Sequence, residues 1–438
     1  TGEDGSTRYG KRNAPESWPF EKPPGTEGLP MPHDPAAESM VPFASMDVMS
    51  YSFSARATLA KIAEELGNDK QAFWNQQAEE VRVRLVKGLW LPERHACFDL
   101  DKNGKRLPEL IHNNLRCMWH GIFTQEMADA FIKHHLLDPR EFWTPVPLVS
   151  IAVGEQLFFN GKRNNWSGQP QGLTYQRAID ALERYGHFAE VTLLGQKLLP
   201  ALLRNDCNFT QQLDPFTGEP SGQKPDGYGP MILATLEYMS RMHGIHLDVE
   251  RGQVWWSAVE TDGDAFQYTQ RWGERTFELR CAKGKIQGLV DGRSTFTCTA
   301  GTRVVTDLDG QVQHLVGITP GRREVVLQSN GSSHRVNVGP NEVHRIREQG
   351  ADLLRSVPFD YPHPLMKPAR AEDQLSSELF AEPPVHVRPG AFWDWLNGSI
   401  TKEQITRDLE AMERGGMRGA EIWDVAAYAG TDGRVPAG

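Results

Sequence analysis

The sequence predicts a multidomain chain: a mainly α partial α/α toroid, then an antiparallel β-sandwich, then the first βαβ unit of a truncated (β/α)8 barrel. Three observations predict it. Apolar residues recur at helical spacing as far as Gly244, short β-branched and aromatic runs follow to about 348, and a strand–helix–strand pattern closes the sequence. At roughly 150 residues per domain, a chain of 438 residues holds about three domains.

Composition bounds the function classes. Hydrophobic residues at 39% and charged residues at 24% supply packed cores and give no disorder signature. A net charge of −10 without any Lys/Arg run argues against nucleic acid and anionic membrane as partners. The most apolar long stretch, Phe142 to Phe159, contains Pro145, Pro147 and Glu155 and does not read as a membrane helix. Five cysteines without a CxxC pair support neither a zinc site nor a disulfide framework. The opening TGEDGSTRYGK lacks an initiator Met and a signal peptide, and the loop-like GTDGRVPAG closes the chain. It reads as a piece of a longer protein and leaves the compartment open.

The elements follow in order. Residues 1 to about 50, rich in Pro, Gly and Glu, read as a long loop. Ala55, Leu59, Ile62 and Leu66 keep helical spacing and Gly67 stops the helix. Trp74, Ala78, Val81 and Leu85 repeat the pattern, as do Tyr175, Ala178, Leu182 and Tyr185 before Gly186. A helix from Ala189 is bent or ended at Pro200, and one from Met231 to His243 is capped by Gly244. Helices joined by loops carrying Trp, Gly and Pro suggest a toroid over residues 1–244. In 245–349 the runs VWWSAV, FQYTQRW, TFELRC, STFTCTA, GTRVVTD, REVVLQ and HRVNV read as sandwich strands, with a hairpin turn at Asp307–Gln311. Residues 350–384 read as a linker. In 385–438, FWDWLN is a strand, Thr401 and Gln404 a capping box before a helix stopped at Gly415 and Gly416, and GAEIWDV a second strand. A complete (β/α)8 barrel needs roughly 250 residues, so this one is truncated.

Several motifs carry chemistry beside a bland reading. Asp4, in GEDGSTRYG, is a carboxylic acid on a Gly-constrained loop, a proton donor for a glycosidic oxygen or a turn residue. In NNWSGQPQ, Trp166 could stack on a sugar face and Gln169 bond its hydroxyls, or the Trp is core before a Pro-assisted helix start. The 209–228 loop gathers Gln211, Gln212, Asp214, Glu219, Asp226 and Tyr228, either around a polar ligand or as a solvated surface. DLDKNG imitates an EF-hand start, but Leu110 stands where the twelfth-position Glu belongs, so a hairpin turn is the better reading. The four N-x-S/T sequons are short enough to arise by chance.

Taken in order, GEDGSTRYG, SMDVMSYSFSARATLAKIAEELG, WLPERHACFDLDKNGK, FWTPVPLVSIA, NNWSGQPQ, ALERYGH and DPFTGEPSGQKPDGYGPMI resemble the catalytic (α/α)6 barrel of clan G glycoside hydrolases. These six-hairpin enzymes include glycoside hydrolase family 63, the mannosylglycerate hydrolase-like proteins and, more distantly, trehalases. The resemblance implies an inverting glycosidase without metal or organic cofactor, acting on an oligosaccharide or polysaccharide. It places the acid on Asp4, with Glu3 a departure from the usual Trp, Met or Leu, and a sugar-hydroxyl ligand on Asp47. It matches Trp166, Gly168 and Pro170 to a Trp-Gly-Pro motif, with Gln169 intruding. The expected base position holds Gln211, which cannot accept a proton from water and could only orient it. Asp214, Glu219 or Asp226 then takes over, or the site binds sugar without cleaving it efficiently. The implied site is Asp4, Gln211 and Glu219 for catalysis, with Asp47, Trp166, Gln169, Asp214, Asp226 and Tyr228 for substrate. A glycan-binding module without catalysis and a structural toroid for protein contacts are the rival readings. RPGAFWDWLNGSITKEQITRDLEAMERGGMRGAEIWDV resembles the beginning of the α-L-rhamnosidase domain of glycoside hydrolase family 106, with Asn397 and Glu421 at or near strand positions. A polysaccharide substrate implies export, periplasmic or extracellular.

Overall fold

The computed structural model describes residues 42–101, 104–161, 168–205, 209–221, 227–259, 265–363, 390–396, 401–417 and 419–425. They fall into two compact units divided at 366/367. Asp4, Trp166, Asp226 and Asn397 lie outside the described residues.

The first unit begins with a short strand, β1 (Pro42–Ala44), and a helical hairpin, α1 (Met46–Glu65) and α2 (Gln71–Leu89). The α2 spacing holds as expected, with Ala78, Val81 and Leu85 buried. The α1 spacing does not. Leu59, Ile62 and Leu66 are 40%, 47% and 74% exposed, whereas Met46, Asp47, Ser50, Ala60 and Ala63 are buried. Small residues let α1 lie close to α2, and its bulky apolar stripe is turned outward (periodicity shows that a face exists, not which face is covered).

Three short strands follow, β2 (Trp90–Leu91), β3 (Ala96–Cys97) and β4 (Leu100–Asp101), then α3 (Asn114–Trp119) and α4 (Gln125–Phe131), which runs into a π-turn at Ile132–Leu136. The Thr124 hydroxyl caps α4 by accepting the Met127 N–H. After a long loop come α5 (Gly172–Arg184), α6 (Phe188–Arg204) and α7 (Gly229–His243). Tyr175, Ala178 and Leu182 of α5 are fully buried in one core shared by all these helices. Pro200 sits inside α6 rather than ending it. Gly244 caps α7 as expected, with an extended φ of −165°, and also opens a strand. A Cβ there would meet the Tyr268 ring at 2.8 Å, which explains the glycine by close approach.

Twelve strands, from β5 (Gly244–Asp248) to β16 (Ala351–Ser356), form two six-stranded antiparallel sheets. The strand order is β14 (Ser332–Val338), β13 (Arg323–Ser329), β10 (Arg293–Thr299), β9 (Lys285–Val290), β8 (Arg275–Ala282) and β7 (Phe266–Trp272) in one sheet. In the other it is β16, β15 (Glu342–Ile346), β12 (Val312–Val316), β11 (Thr302–Asp307), β6 (Gln253–Ala258) and β5. Trp256, Phe277, Leu279, Phe296, Val304, Leu315, Val325 and Leu327 fill the space between them. The indole N–H of Trp256 is satisfied by the Thr306 hydroxyl at 3.0 Å. The turn at Asp307–Gln311 is as predicted, its Asp307 carboxylate accepting the N–H groups of Asp309 and Gln311. Residues 351–356 were expected to be linker. They pair with β15 (Glu342–Ile346) and complete a sheet, so the sandwich runs past 349.

Within this unit the helices and the sandwich are joined by buried charge. Glu183 at the end of α5 faces Arg241 of α7 at 3.2 Å and Arg303 of β11 (Thr302–Asp307) at 2.8 Å. The Arg303 guanidinium also lies over the Trp255 ring at 4.8 Å. Asn341, fully buried, accepts the Ala189 N–H at the start of α6 and donates to Glu190.

In the second unit β17 (Gly390–Leu396) and β18 (Gly419–Val425) are parallel and joined through α8 (Lys402–Arg414), the expected βαβ unit. The Thr401 hydroxyl accepts the Gln404 N–H, as the capping signature predicts. Leu409 on α8 is 48% exposed.

Candidate functional site

Several chain segments bring buried polar side chains together in the helical part: the start of α1, the 109–116 stretch, residues 144–161 and 168–171, the start of α5, and the loop 209–221. Asp47, His112, Asn113, Arg116, Ser150, Gln169, Gln171, Thr174 and Gln212 are each at most 7% exposed. Interiors rarely gather so many polar groups without a use for them.

The first turn of α1 is fixed by Asp99, whose Oδ1 accepts the Met46 N–H at 2.8 Å. That presents Asp47 to Arg116 of α3, and the two form a buried ion pair. Burial, and then the neighbouring Arg177 guanidinium, pushes Arg116 down to about 9. Arg177 lies over the Trp119 ring at 5.3 Å. His120, packed on Tyr51 at 4.8 Å, is driven down to about 4 by burial and by Arg177, Arg116 and Arg184, so it is neutral at physiological pH.

Backbone pairing knits the two polar loops to α5. Gln171 bridges to Gln212, the Gly172 N–H donates to the Gln211 carbonyl at 3.2 Å, and the Leu213 N–H donates to the Pro170 carbonyl at 3.2 Å. At Gly168 a Cβ would meet the Phe159 carbonyl oxygen at 2.4 Å, so only glycine allows this turn to close. The Ser150 hydroxyl donates to the Gln169 carbonyl at 2.8 Å, and Thr174 bonds His112 at 3.1 Å.

A chain of side chains then crosses the site. Asp214 Oδ2 accepts from Asn160 Nδ2 at 2.7 Å, and Asn160 Oδ1 accepts from Gln169 Nε2 at 3.0 Å. Because a carboxylate only accepts, Asn160 must turn its amide nitrogen to Asp214 and its oxygen to Gln169. The Gln169 amide is oriented in turn, and its Oε1 is left buried, without a hydrogen-bond partner among the described residues, in a residue 1% exposed. The other Asp214 oxygen accepts the Phe216 and Thr217 N–H groups, both at or below 2.9 Å. Burial opposes the charge on Asp214, but the Thr217 N–H, the Asn160 amide and the Phe216 N–H outweigh it and hold its pKa below the usual range.

The structure therefore brings Asp47, Gln169, Gln211 and Asp214 to connected segments. Glu219 is exposed on the far limb of its loop, where its carbonyl accepts the Asp214 N–H at 2.8 Å. Tyr228 is half-buried, and its N–H donates to the Phe209 carbonyl at 2.9 Å, closing the loop at its base. Sequence reasoning missed Arg116 and Asn160. Arg116 announces itself as the one charge in NLRCMW, whereas nothing in FFNGK distinguishes Asn160. Among the described residues, no group of three or more His, Cys, Asp or Glu side chains could hold a metal ion, and no helix is long and apolar enough to cross a membrane.

Comparison with known proteins finds similarities in both parts of the chain. Residues 29–229 match the mannosylglycerate hydrolase MGH1-like glycoside hydrolase domain. Residues 381–434 match an α-L-rhamnosidase domain. Among solved structures, the family 63 mannosylglycerate hydrolase of Thermus thermophilus, in complex with glucose, is similar at 18% identity and TM-score 0.38. The match covers 44% of this chain and 46% of that one. The neutral trehalase of Saccharomyces cerevisiae is similar at 16% identity and TM-score 0.41, over 47% of this chain and 39% of that one. A protein of Formosa agariphila provisionally named a beta-glucuronidase is 37% identical over 46 residues, which is 10% of this chain and 4% of that protein. The chain thus spans less than half the length of each of these relatives.

Proposed function

We propose that the helical part of this chain hydrolyses a glycosidic bond of an oligosaccharide or polysaccharide, by inversion, in carbohydrate degradation. The single observation that carries the reading is Gln169 Oε1, a buried acceptor whose amide is held by the Asn160–Asp214 chain and which has no hydrogen-bond donor among the described residues. A buried acceptor without a partner is costly, on the order of 1–3 kcal/mol, and a sugar hydroxyl would repair that loss.

In this reading Asp4 protonates the leaving oxygen, while Asp47, steadied by Arg116, and Gln169 hold the sugar, with Trp166 and Tyr228 as its apolar walls. Gln211 orients the attacking water without taking its proton. Of the acids offered for the base, Asp214 is the least suited: its depressed pKa and three donors make it the anchor of a turn and the orienter of Asn160. Glu219 and Asp226 remain the candidates for the base. An inverting pair would sit roughly 6.5–9.5 Å apart with a water between. The α-L-rhamnosidase-like portion is assigned no activity of its own, although two sugar-cleaving modules in one polypeptide would suit degradation of a branched polysaccharide.

Gln211 favours a second reading, a glycan-binding module that has lost catalysis. The two separate on a panel of aryl glycosides and oligosaccharides. Hydrolysis with inverted product, abolished by Asp4→Asn with binding retained, supports the enzyme; unchanged hydrolysis in that variant rejects the assignment of Asp4. Binding without release of sugar supports the module. In the module, Gln211→Glu would raise hydrolysis over the background rate by roughly the 10²–10⁴-fold that a positioned general base supplies.

A further inference from the structure

The turn that follows Asp214 is pinned from both sides. Asp214 Oδ1 accepts the Phe216 and Thr217 N–H groups at 2.8 and 2.9 Å, and the Gly218 N–H donates to the Asp214 carbonyl at 2.9 Å. The Val146 N–H donates to the Pro215 carbonyl at 2.9 Å, and Asn205 Nδ2 donates to the Gly218 carbonyl at 2.7 Å. Gly218 has a φ of +79°, and a Cβ there would meet the Ala201 methyl at 3.1 Å, so the turn sits tight against α6. None of these contacts uses the ring of Phe216, and this residue is 47% exposed.

A single exposed apolar residue needs no explanation, but this one has an aromatic partner. Phe158 meets it edge-on, with ring centroids 6.3 Å apart and planes at 76°. Phe158 is itself packed against the helical core, which anchors the pair at its inner end. It lies two residues before Asn160, and Phe216 lies two residues after Asp214. Asn160 and Asp214 are hydrogen-bonded at 2.7 Å, so each ring springs from backbone within about 7 Å of one end of that bond. The same two segments are thus bridged twice, by a polar pair and by an aromatic pair. The polar bridge leads on to Gln169, whose Oε1 has no donor among the described residues. Apolar ring surface beside an acceptor suits a saccharide chain, which offers C–H faces on its rings and hydroxyls at their edges.

We propose, on the reading of the polar cluster as a glycosidase's sugar site, that Phe216 is the stacking platform for the sugar ring next to the one that Gln169 holds. The site then takes substrates of two or more sugar units. Because the turn is fixed before any ligand arrives and Phe158 steadies the ring, stacking costs little ordering of the protein.

The test measures dissociation constants of the complete 438-residue chain by titration calorimetry. The probes are the mono-, di- and trisaccharides of glucose, mannose, galactose and rhamnose. For the sugar that binds, the trisaccharide should bind roughly tenfold more tightly than the monosaccharide, the gain expected from covering about half a phenylalanine. In Phe216→Ala that ratio should fall to near one. Phe216→Tyr should keep it, whereas Phe216→Leu, which retains bulk without a flat face, should lose it. A ratio near one in the unaltered chain, no binding of any of these saccharides, or a ratio that Phe216→Ala leaves intact overturns the proposal. The thermal midpoint reports whether each variant is folded, and Phe216→Leu decides should Phe216→Ala not fold. Release of sugar is scored separately on the same samples. A ratio that depends on Phe216 without hydrolysis keeps the platform and rejects the glycosidase reading, and hydrolysis without such a ratio does the reverse.

Discussion

The two halves of the first unit bury their interiors in opposite ways. Between the sheets the core is apolar, packed around Trp256 with Phe277 and Phe296 edge-on at 6.1 and 5.5 Å. The helical part instead buries a carboxylate, a guanidinium, imidazole and several amides within one region, beside an apolar core of its own. A sandwich built this way supports and orients. A helical array that accepts the desolvation of so many polar groups has kept them for recognition or chemistry. Where the two meet, the buried polar groups of the sandwich serve the joint: Arg303 reaches Glu183, and Asn341 caps α6 and holds Glu190.

This contrast can be broken by measurement, and the largest effect falls in the sandwich. Trp256→Ala should lower stability by about 4 kcal/mol in chemical denaturation, because the void cannot collapse between two pinned sheets. Ligand affinity of the folded fraction should be unchanged. A loss below about 1 kcal/mol would mean that the sheets are not the rigid half.

Glu183→Gln should cost about 3 kcal/mol by leaving Arg241 and Arg303 buried against a neutral amide. Adding Arg303→Met should recover part of the loss, and a double-mutant cycle with no coupling would show that the joint is not held by this pair.

The third effect is a pH dependence. Burial disfavours charge on His187, but Asp129 and Glu190, at 2.8 and 2.9 Å from its two ring nitrogens, outweigh that and raise it to about 9. Its folded pKa exceeds the unfolded value of about 6.5, so the stabilisation is complete below that pH and is lost as pH rises through about 9. Stability should fall by on the order of 2 kcal/mol across that window, and a His187→Gln chain should be flat there.

The smallest effect lies in the second unit. Thr401→Ala removes the acceptor for the Gln404 N–H and should cost α8 about 1 kcal/mol, read as faster amide exchange in its first turn.

Much of the fold was legible because local rules and tertiary packing agreed. The capping box at Thr401, the turn at Asp307 and the buried stripes of α2 and α5 are each decided within a few residues. Legibility failed where a distant partner decided. The stripe on α1 was read as a core face, yet Ala60 and Ala63 choose the packed side. Gly244 caps α7 as expected, but what requires a glycine there is the Tyr268 ring. Residues 351–356 looked like linker and found a sheet edge to pair with. In the site, the polar loop of 209–228 was visible as a composition, but nothing local separates Asp214, bound by three donors, from Glu219, left exposed.

The sequence alone determined the order of helical part, sandwich and βαβ unit, since hydrophobic period and turn chemistry are short-range properties carried by neighbouring residues. The family resemblance implies Gln211 at the position of the base, and no packing can give an amide the basicity of a carboxylate. Only the tertiary structure decided that Asp47 meets Arg116 and that Asp214 orients Asn160 and so leaves one Gln169 oxygen without a donor. Those pairings join residues far apart in the chain, and a hydrogen bond exists only once both ends have been brought within about 3 Å.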